Sequence, residues 1–195
     1  MTDSGKYVII FNGPPGSGKD HACDFLEDLI FECQHRRMKE QLFECTTVLF
    51  NINWVDFMDL YNDRETKEKP TCKLRGMSPR EAMIFTSETV IKPNFGKDYF
   101  GLCAAENLDF GLNVFSDGGF VEELEPIYKE CDGNMIIVQI HRDGCDFSSD
   151  SRSYIDSFKN VPVLKIHNDA GIPEFELKVA DIANAFLAGS ITNES

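Results

Sequence analysis

Five short runs of β-branched and aromatic residues, separated by stretches of helical periodicity, predict an α/β protein: a three-layer α/β/α sandwich built on a five-stranded parallel sheet. The runs are 7–12 (YVIIFN), 46–52 (TTVLFNI), 112–117 (LNVFSD), 135–140 (MIIVQI) and 161–166 (VPVLKI). They are mostly apolar rather than alternating, as expected of strands covered by helices on both faces. The first run passes directly into a glycine-rich turn, GPPGSGKD at 13–20, and then into a helical pattern.

In chain order, Ala22, Phe25, Leu26, Leu29, Ile30 and Cys33 recur at intervals of three and four, predicting one helix from Lys19 to about Gln41. The run at 46–52 reads as the second strand, followed by an amphipathic stretch ending near Tyr61. The charged, apolar-poor segment 62–76 reads as a solvated loop. Ser78, Pro79 and Glu81 form a strong helix start, an N-cap with proline at the first position and a capping box. PNFGKDYFG at 93–101 breaks and restarts helix. Further helices are expected at 119–131 and 174–188, and the tail GSITNES is expected to fray.

A chain of 195 residues with 42% hydrophobic residues suits a single domain, 1–195. No run of about 18 apolar residues indicates a membrane span, and the N-terminus lacks a secretory pattern. Seven cysteines, an odd number without a CxxC pair, point to a reducing cytoplasm. Cys33, Cys45 and His35 lack the repeated ligand pairs of a zinc site. A formal net charge of −14 argues against a nucleic-acid polymer as partner. A local nucleotide site needs only backbone amides and a few cations, so it stays open.

The chemistry concentrates at 13–20. Glycines at 13, 16 and 18 let successive N–H groups point inward, Lys19 would bridge the β- and γ-phosphates, and the following helix adds its positive end. This is Gly-x-x-x-x-Gly-Lys-[Ser/Thr] with Asp20 in place of the metal-binding hydroxyl. Asp20 could hold Mg2+ directly or through water. Asp117 closes the third apolar run, where an acidic residue can hold the same ion; the competing reading is an ordinary Asp-Gly turn. Arg64, Lys67 and Arg80 offer cations for a second phosphate, each competing with a solvated face. The segment 141–152, flanked by Arg142 and Arg152, reads either as a lid carrying arginines to the reacting phosphoryl group or as a plain loop. His21, His35, His141 and His167 form no catalytic set, and Trp54 reads as a packing residue.

These landmarks resemble the deoxynucleoside monophosphate kinases of tailed bacteriophages, members of the P-loop nucleoside monophosphate kinase fold. The motifs are GSGKD, NDRETKEKP, GMSPREAMIFTSETV, FGKDYFG, SDGGFVEE and KIHNDAG, spanning about 7 to 188. The resemblance implies ATP binding by Gly13, Pro14, Pro15, Gly16, Ser17, Gly18, Lys19, Asp20 and His21, with Asn168 near the adenine. It implies acceptor contacts from Arg64, Lys67, Arg80, Glu88, Lys97 and Asp98 in an insertion at about 53–110. Lys19, Arg142 and Arg152 would be catalytic, the last two in a lid at about 141–153, with Mg2+ at Asp20 and Asp117. The partners implied are ATP and a (deoxy)nucleoside monophosphate, with no membrane and with homodimers common among such enzymes; the compartment would be the host cytoplasm. Three positions depart from the pattern: His21 where threonine is frequent, Gly119 where arginine is common and Val121 where proline is common. A P-loop kinase of another acceptor, such as dephospho-coenzyme A, and a nucleotide-binding regulator without turnover are the alternatives.

Overall fold

A computed structural model describes residues 5–148 and 152–191. Its centre is a fully parallel sheet of five strands in the order β2-β3-β1-β4-β5. In chain order these are β1 (Lys6–Asn12), β2 (Cys33–Arg36), β3 (Gly111–Phe115), β4 (Met135–His141) and β5 (Val163–His167). The helices are α1 (Lys19–Leu29), α2 (Lys39–Phe50), α3 (Trp54–Asn62), α4 (Pro79–Ile84), α5 (Lys92–Phe95), α6 (Tyr99–Glu106), α7 (Val121–Glu130) and α8 (Ile172–Leu187).

The period-two alternation of the strands builds two cores. Ile9 and Phe11, with Val114 and Val138, face Leu26 of α1 and Phe175 and Val179 of α8. Val8 and Ile10, with Phe115 and Ile137, face Leu124 and Ile127 of α7 and Ala105 of α6. The result is the predicted three-layer α/β/α sandwich on a five-stranded parallel sheet. A third, separate cluster joins Phe43 and Phe50 of α2, Phe57 of α3, Leu74, and Ala82 and Met83 of α4. It places α2, α3 and α4 as a body of their own beside the sheet. Trp54 belongs to its rim, edge-on to Phe43 at 6.1 Å. No helix among the described residues is long and apolar enough to cross a membrane.

Two elements differ from the sequence expectation. The helix from Lys19 stops at Leu29; Ile30 is extended and Glu32 adopts φ 65°, turning the chain into β2. The apolar periodicity had run on through Cys33, which faces the same core from the strand. The expected strand at 46–52 is instead the end of α2. Its β-branched threonines are accommodated because Thr46 and Thr47 donate back to the Leu42 and Glu44 carbonyls at 2.7 and 2.8 Å. The helix start at Ser78 and the broken helix at 93–101 are as expected, whereas the 62–76 segment includes a 3-10 turn, Cys72–Leu74, that buries Leu74. Ser78 accepts from the Glu81 N–H while Glu81 accepts from the Ser78 N–H, the full capping box. Helix α4 then widens into a π-helical segment, Phe85–Ile91. Of the expected lid, 149–151 lie outside the described residues, as do 192–195 of the tail.

Candidate functional site

The carboxyl ends of all five strands lie on one edge of the sheet, and the glycine turn emerges there between β1 and α1. Its glycines have specific causes. A Cβ on Gly13 would lie 2.7 Å from the Ile140 carbonyl and from Ser17 Oγ, and Gly18 sits at φ 111° as the N-cap of α1. Lys19 is almost fully buried and donates to the Pro14 carbonyl at 2.7 Å, so its ammonium is folded back across the loop. Ser17 Oγ is buried and has no hydrogen-bond partner among the described residues. A buried orphan hydroxyl beside a cation and the amino end of a helix is a donor set that suits an anion.

The neighbouring strand ends hold this loop. Asn168, just past β5, donates from Nδ2 to the Ser17 carbonyl at 2.8 Å, and its own N–H bonds the His141 carbonyl at 2.8 Å. It therefore buttresses the loop. Arg142, just past β4, donates to the Gly16 carbonyl at 3.0 Å. Cys145 Sγ lies 3.5 Å from where a Gly16 Cβ would stand, so the start of the 142–148 segment lies over the loop.

Residues 153–155 are held by the ends of β1 and β4. Asn12, buried at the end of β1, accepts from the Ile155 N–H at 2.9 Å and donates to the Ser153 and Gly118 carbonyls at 3.2 and 3.3 Å. Gln139, buried in β4, donates to the Ile155 carbonyl at 2.9 Å. Tyr154 stacks on His141 with ring centres 4.2 Å apart. Arg152 precedes this anchor, and its stem crosses Gly119. A Cβ there would come within 2.3 Å of Arg152 Cδ and 2.8 Å of Cγ.

Three of the expected site residues have partners within the protein. Asp117 accepts from the Met38 and Lys39 N–H groups, both at 2.9 Å, one on each carboxylate oxygen. It ties the amino end of α2 to the end of β3, a capping role that follows from the helix dipole. His21 is taken up by Glu176 of α8 at 2.9 Å and lies against Phe175. Asp20 does not project alone; it accepts from the hydroxyl of Ser116, one residue before Asp117, at 2.7 Å. Burial would raise the Asp20 carboxyl pKa, but the Ser116 hydroxyl, Lys39, Arg37 and His35 together hold it below the usual value.

The acceptor candidates fall into two groups. Lys67 and Arg80 meet where the 62–70 loop packs on the start of α4: the Arg80 N–H bonds the Lys67 carbonyl at 3.3 Å, and Arg80 pairs with Glu68 at 3.4 Å. Lys67 lies over the Tyr61 ring at 3.9 Å, and Arg64 is exposed. Glu88 belongs with Lys92, 2.8 Å away, and near Lys97; burial opposes its ionisation, but Lys92 and Ser87 hold its pKa below the usual value. Asp98 sits beside Gly96 at the start of α6. The same region contains Glu123, buried in α7 and 3.8 Å from Lys92. Its burial pushes the carboxyl up to about 7 despite that lysine.

Ser116, His35 and Cys145 are the residues near the loop that sequence reading missed. The only available signal for Ser116 was its position at the carboxyl end of an apolar run.

No family profile matches the chain, and no curated protein matches it. The solved structures that match include a protein of Chloroflexus aurantiacus provisionally described as a kinase, with 14% identity over 96% of this chain and 99% of that one and a TM-score of 0.44.

Proposed function

We propose that the protein transfers the γ-phosphoryl group of ATP to a (deoxy)nucleoside monophosphate, in the manner of the phage kinases its motifs resemble. The observation that carries this reading is the glycine turn at the carboxyl edge of a parallel sheet, with Lys19 at the helix start and Arg142 on the loop backbone. The loop amides, Lys19 and the amino end of α1 bind the β- and γ-phosphates. An oxygen of the acceptor phosphate attacks the γ-phosphorus; the bond from that phosphorus to the β–γ bridging oxygen breaks, and ADP leaves. The acceptor oxygen is already anionic, so no strong base is required. Catalysis is then placement and neutralisation of charge. Arg142, on the loop backbone, and Arg152, whose stem crosses Gly119, are the cations for the transferring group. Arg64, Lys67 and Arg80 bind the acceptor phosphate. Asp20, beside the loop, would hold Mg2+ directly or through water, and the ion would supply neutralisation of phosphate charge.

The test is phosphoryl transfer from labelled ATP to each common nucleoside monophosphate, and to dephospho-coenzyme A, by wild type and Lys19→Ala. Transfer to one or more nucleoside monophosphates, lost in a folded Lys19→Ala protein, supports the reading. Transfer to another acceptor, ATP binding without transfer, or near-normal turnover by Lys19→Ala refutes it.

A further inference from the structure

A P-loop site ordinarily pairs a hydroxyl on the loop with a carboxylate at the end of a neighbouring strand, the two holding the metal of the bound nucleotide between them. In this chain the loop supplies a carboxylate, Asp20, at the position of the hydroxyl. The strand next to β1 ends in a hydroxyl, Ser116, immediately after β3. The two side chains meet at 2.7 Å. Asp117, one residue further, has each of its oxygens on a backbone N–H of α2. We infer that loop and strand have exchanged the two halves of the metal-holding pair: Asp20 is the carboxylate of the site, and Ser116 is the residue that positions it. This rests on the nucleotide-binding part of the proposed function and assigns a role to Ser116 and, behind it, to His35.

The direction of the hydrogen bonds supports the exchange. An ionised carboxylate only accepts, so the Ser116 proton is committed to Asp20. The group facing Ser116 from the other side must then donate. That group is His35 Nε2, at 3.0 Å, on an imidazole that is almost fully buried. His35 Nδ1 faces Asp24 Oδ1 at 2.7 Å and the Arg37 guanidinium at 3.3 Å. A single chain, Asp24–His35–Ser116–Asp20, thus runs from the surface of α1, through β2 and the end of β3, back to the first turn of α1. It fixes one Asp20 oxygen and leaves the other for a metal ion or its water. Asp24, Glu27 and His35 also bring three possible ligand atoms within 4.8 Å of one another. The Arg37 guanidinium already lies 3.3 Å from Nδ1 and 4.0 Å from Asp24, so the trio is better described as the outer end of this chain than as a metal site.

Exchange makes a prediction that independent roles do not. Swapping the two residues back should restore what either single change removes. The variants are Asp20→Ser, Ser116→Asp and the double Asp20→Ser/Ser116→Asp. The measurement is the dissociation constant for ATP by calorimetry, with Mg2+ and with EDTA, which needs no turnover. Wild type should bind ATP at least about tenfold more tightly with Mg2+; Asp20→Ser should lose most of that gain, and the double variant should regain a large part of it. Ser116→Asp places two carboxylates in contact; should it not fold, Ser116→Ala crossed with Asp20→Ala answers the same question without added charge. Ser116→Ala should reduce the Mg2+ gain when Asp20 is present and change nothing when it is Ala. His35→Gln, which keeps a donor near Ser116, should retain more of the gain than His35→Ala. Additive effects, a double variant no better than the worse single, or a wild type whose ATP affinity ignores Mg2+ overturns the inference. Mg2+-dependent ATP binding that follows the exchange pattern, without transfer to any nucleoside monophosphate, leaves it standing and removes only the proposed reaction. A wild type that binds no ATP under either condition overturns both.

Discussion

Gly119→Ala is the smallest perturbation with a large expected consequence. Its φ lies outside the left-handed region, so alanine is allowed by the backbone. The space is already filled: the new methyl would stand 2.3 Å from Arg152 Cδ, 2.8 Å from Cγ and 3.3 Å from Cβ. Carbon atoms pack at about 3.5 Å or more, so the arginine stem must retreat by about 1.2 Å. A long side chain yields more easily than backbone does. The stability cost should therefore stay near the low end of overpacking, about 1 kcal/mol. If the Arg152 guanidinium acts on the transferring phosphoryl group, a displacement of this size should lower kcat by about 10- to 100-fold. The assay is a cycle of Gly119→Ala, Arg152→Ala and the double variant, comparing kcat and the midpoint of denaturant unfolding. On this reasoning Gly119→Ala has almost no further effect on kcat once Arg152 is gone. Independent losses in the double variant, or a Gly119→Ala enzyme with unchanged kcat, would falsify the placement of Arg152 in the site.

Glu123 gives a pH prediction. Its native carboxyl titrates near 7 against an ordinary 4.5, so the folded protein holds this proton more tightly than the unfolded chain. The resulting stability is present on the acid side and lost as pH rises from about 4.5 to about 7. Glu123→Gln should raise the melting temperature at pH 8, by at most about 3 kcal/mol of stability, with the gain shrinking towards pH 5; an equal gain at both values refutes the argument. Asn168→Ala removes the donor to the Ser17 carbonyl and should raise the KM for ATP while leaving the acceptor KM in place. Arg80→Ala should do the opposite, raising the acceptor KM by about tenfold, the equivalent of about 1.4 kcal/mol; steady-state kinetics with each substrate varied separates the two, and equal shifts in both constants count against these assignments.

Much of the fold was legible because its signals are local. A central strand of a parallel sheet is apolar on both faces, and β1 and β4 can be read directly from YVIIFN and MIIVQI. The Ser78 capping box is complete within four residues. β2 is different. It is a four-residue edge strand in which only Cys33 is fully buried, so it lacks the continuous apolar run that marks a covered strand. Cys33 also fell in step with the helix before it. Conversely, Thr46 and Thr47 looked like strand residues because their β-branched side chains were counted without the carbonyls they bond within α2.

The site divides in the same way. Glycines at 13, 16 and 18 and Lys19 carry a motif whose geometry is set by its own short loop, so spacing was enough to find it. Asp117 was read as a metal residue from its place at the end of an apolar run. What occupies its two oxygens comes from the amino end of a helix 78 and 79 residues earlier in the chain. The Ser116–Asp20 contact spans 96 residues. At the end of β3, SD could present either residue to the loop, and the choice is made by α2: once its amino end claims the carboxylate, only the hydroxyl remains to face α1. The loop carboxylate and the strand hydroxyl are therefore one coupled feature. An aspartate at position 20 that looks anomalous against the loop motif alone is accounted for when the strand beside it is included.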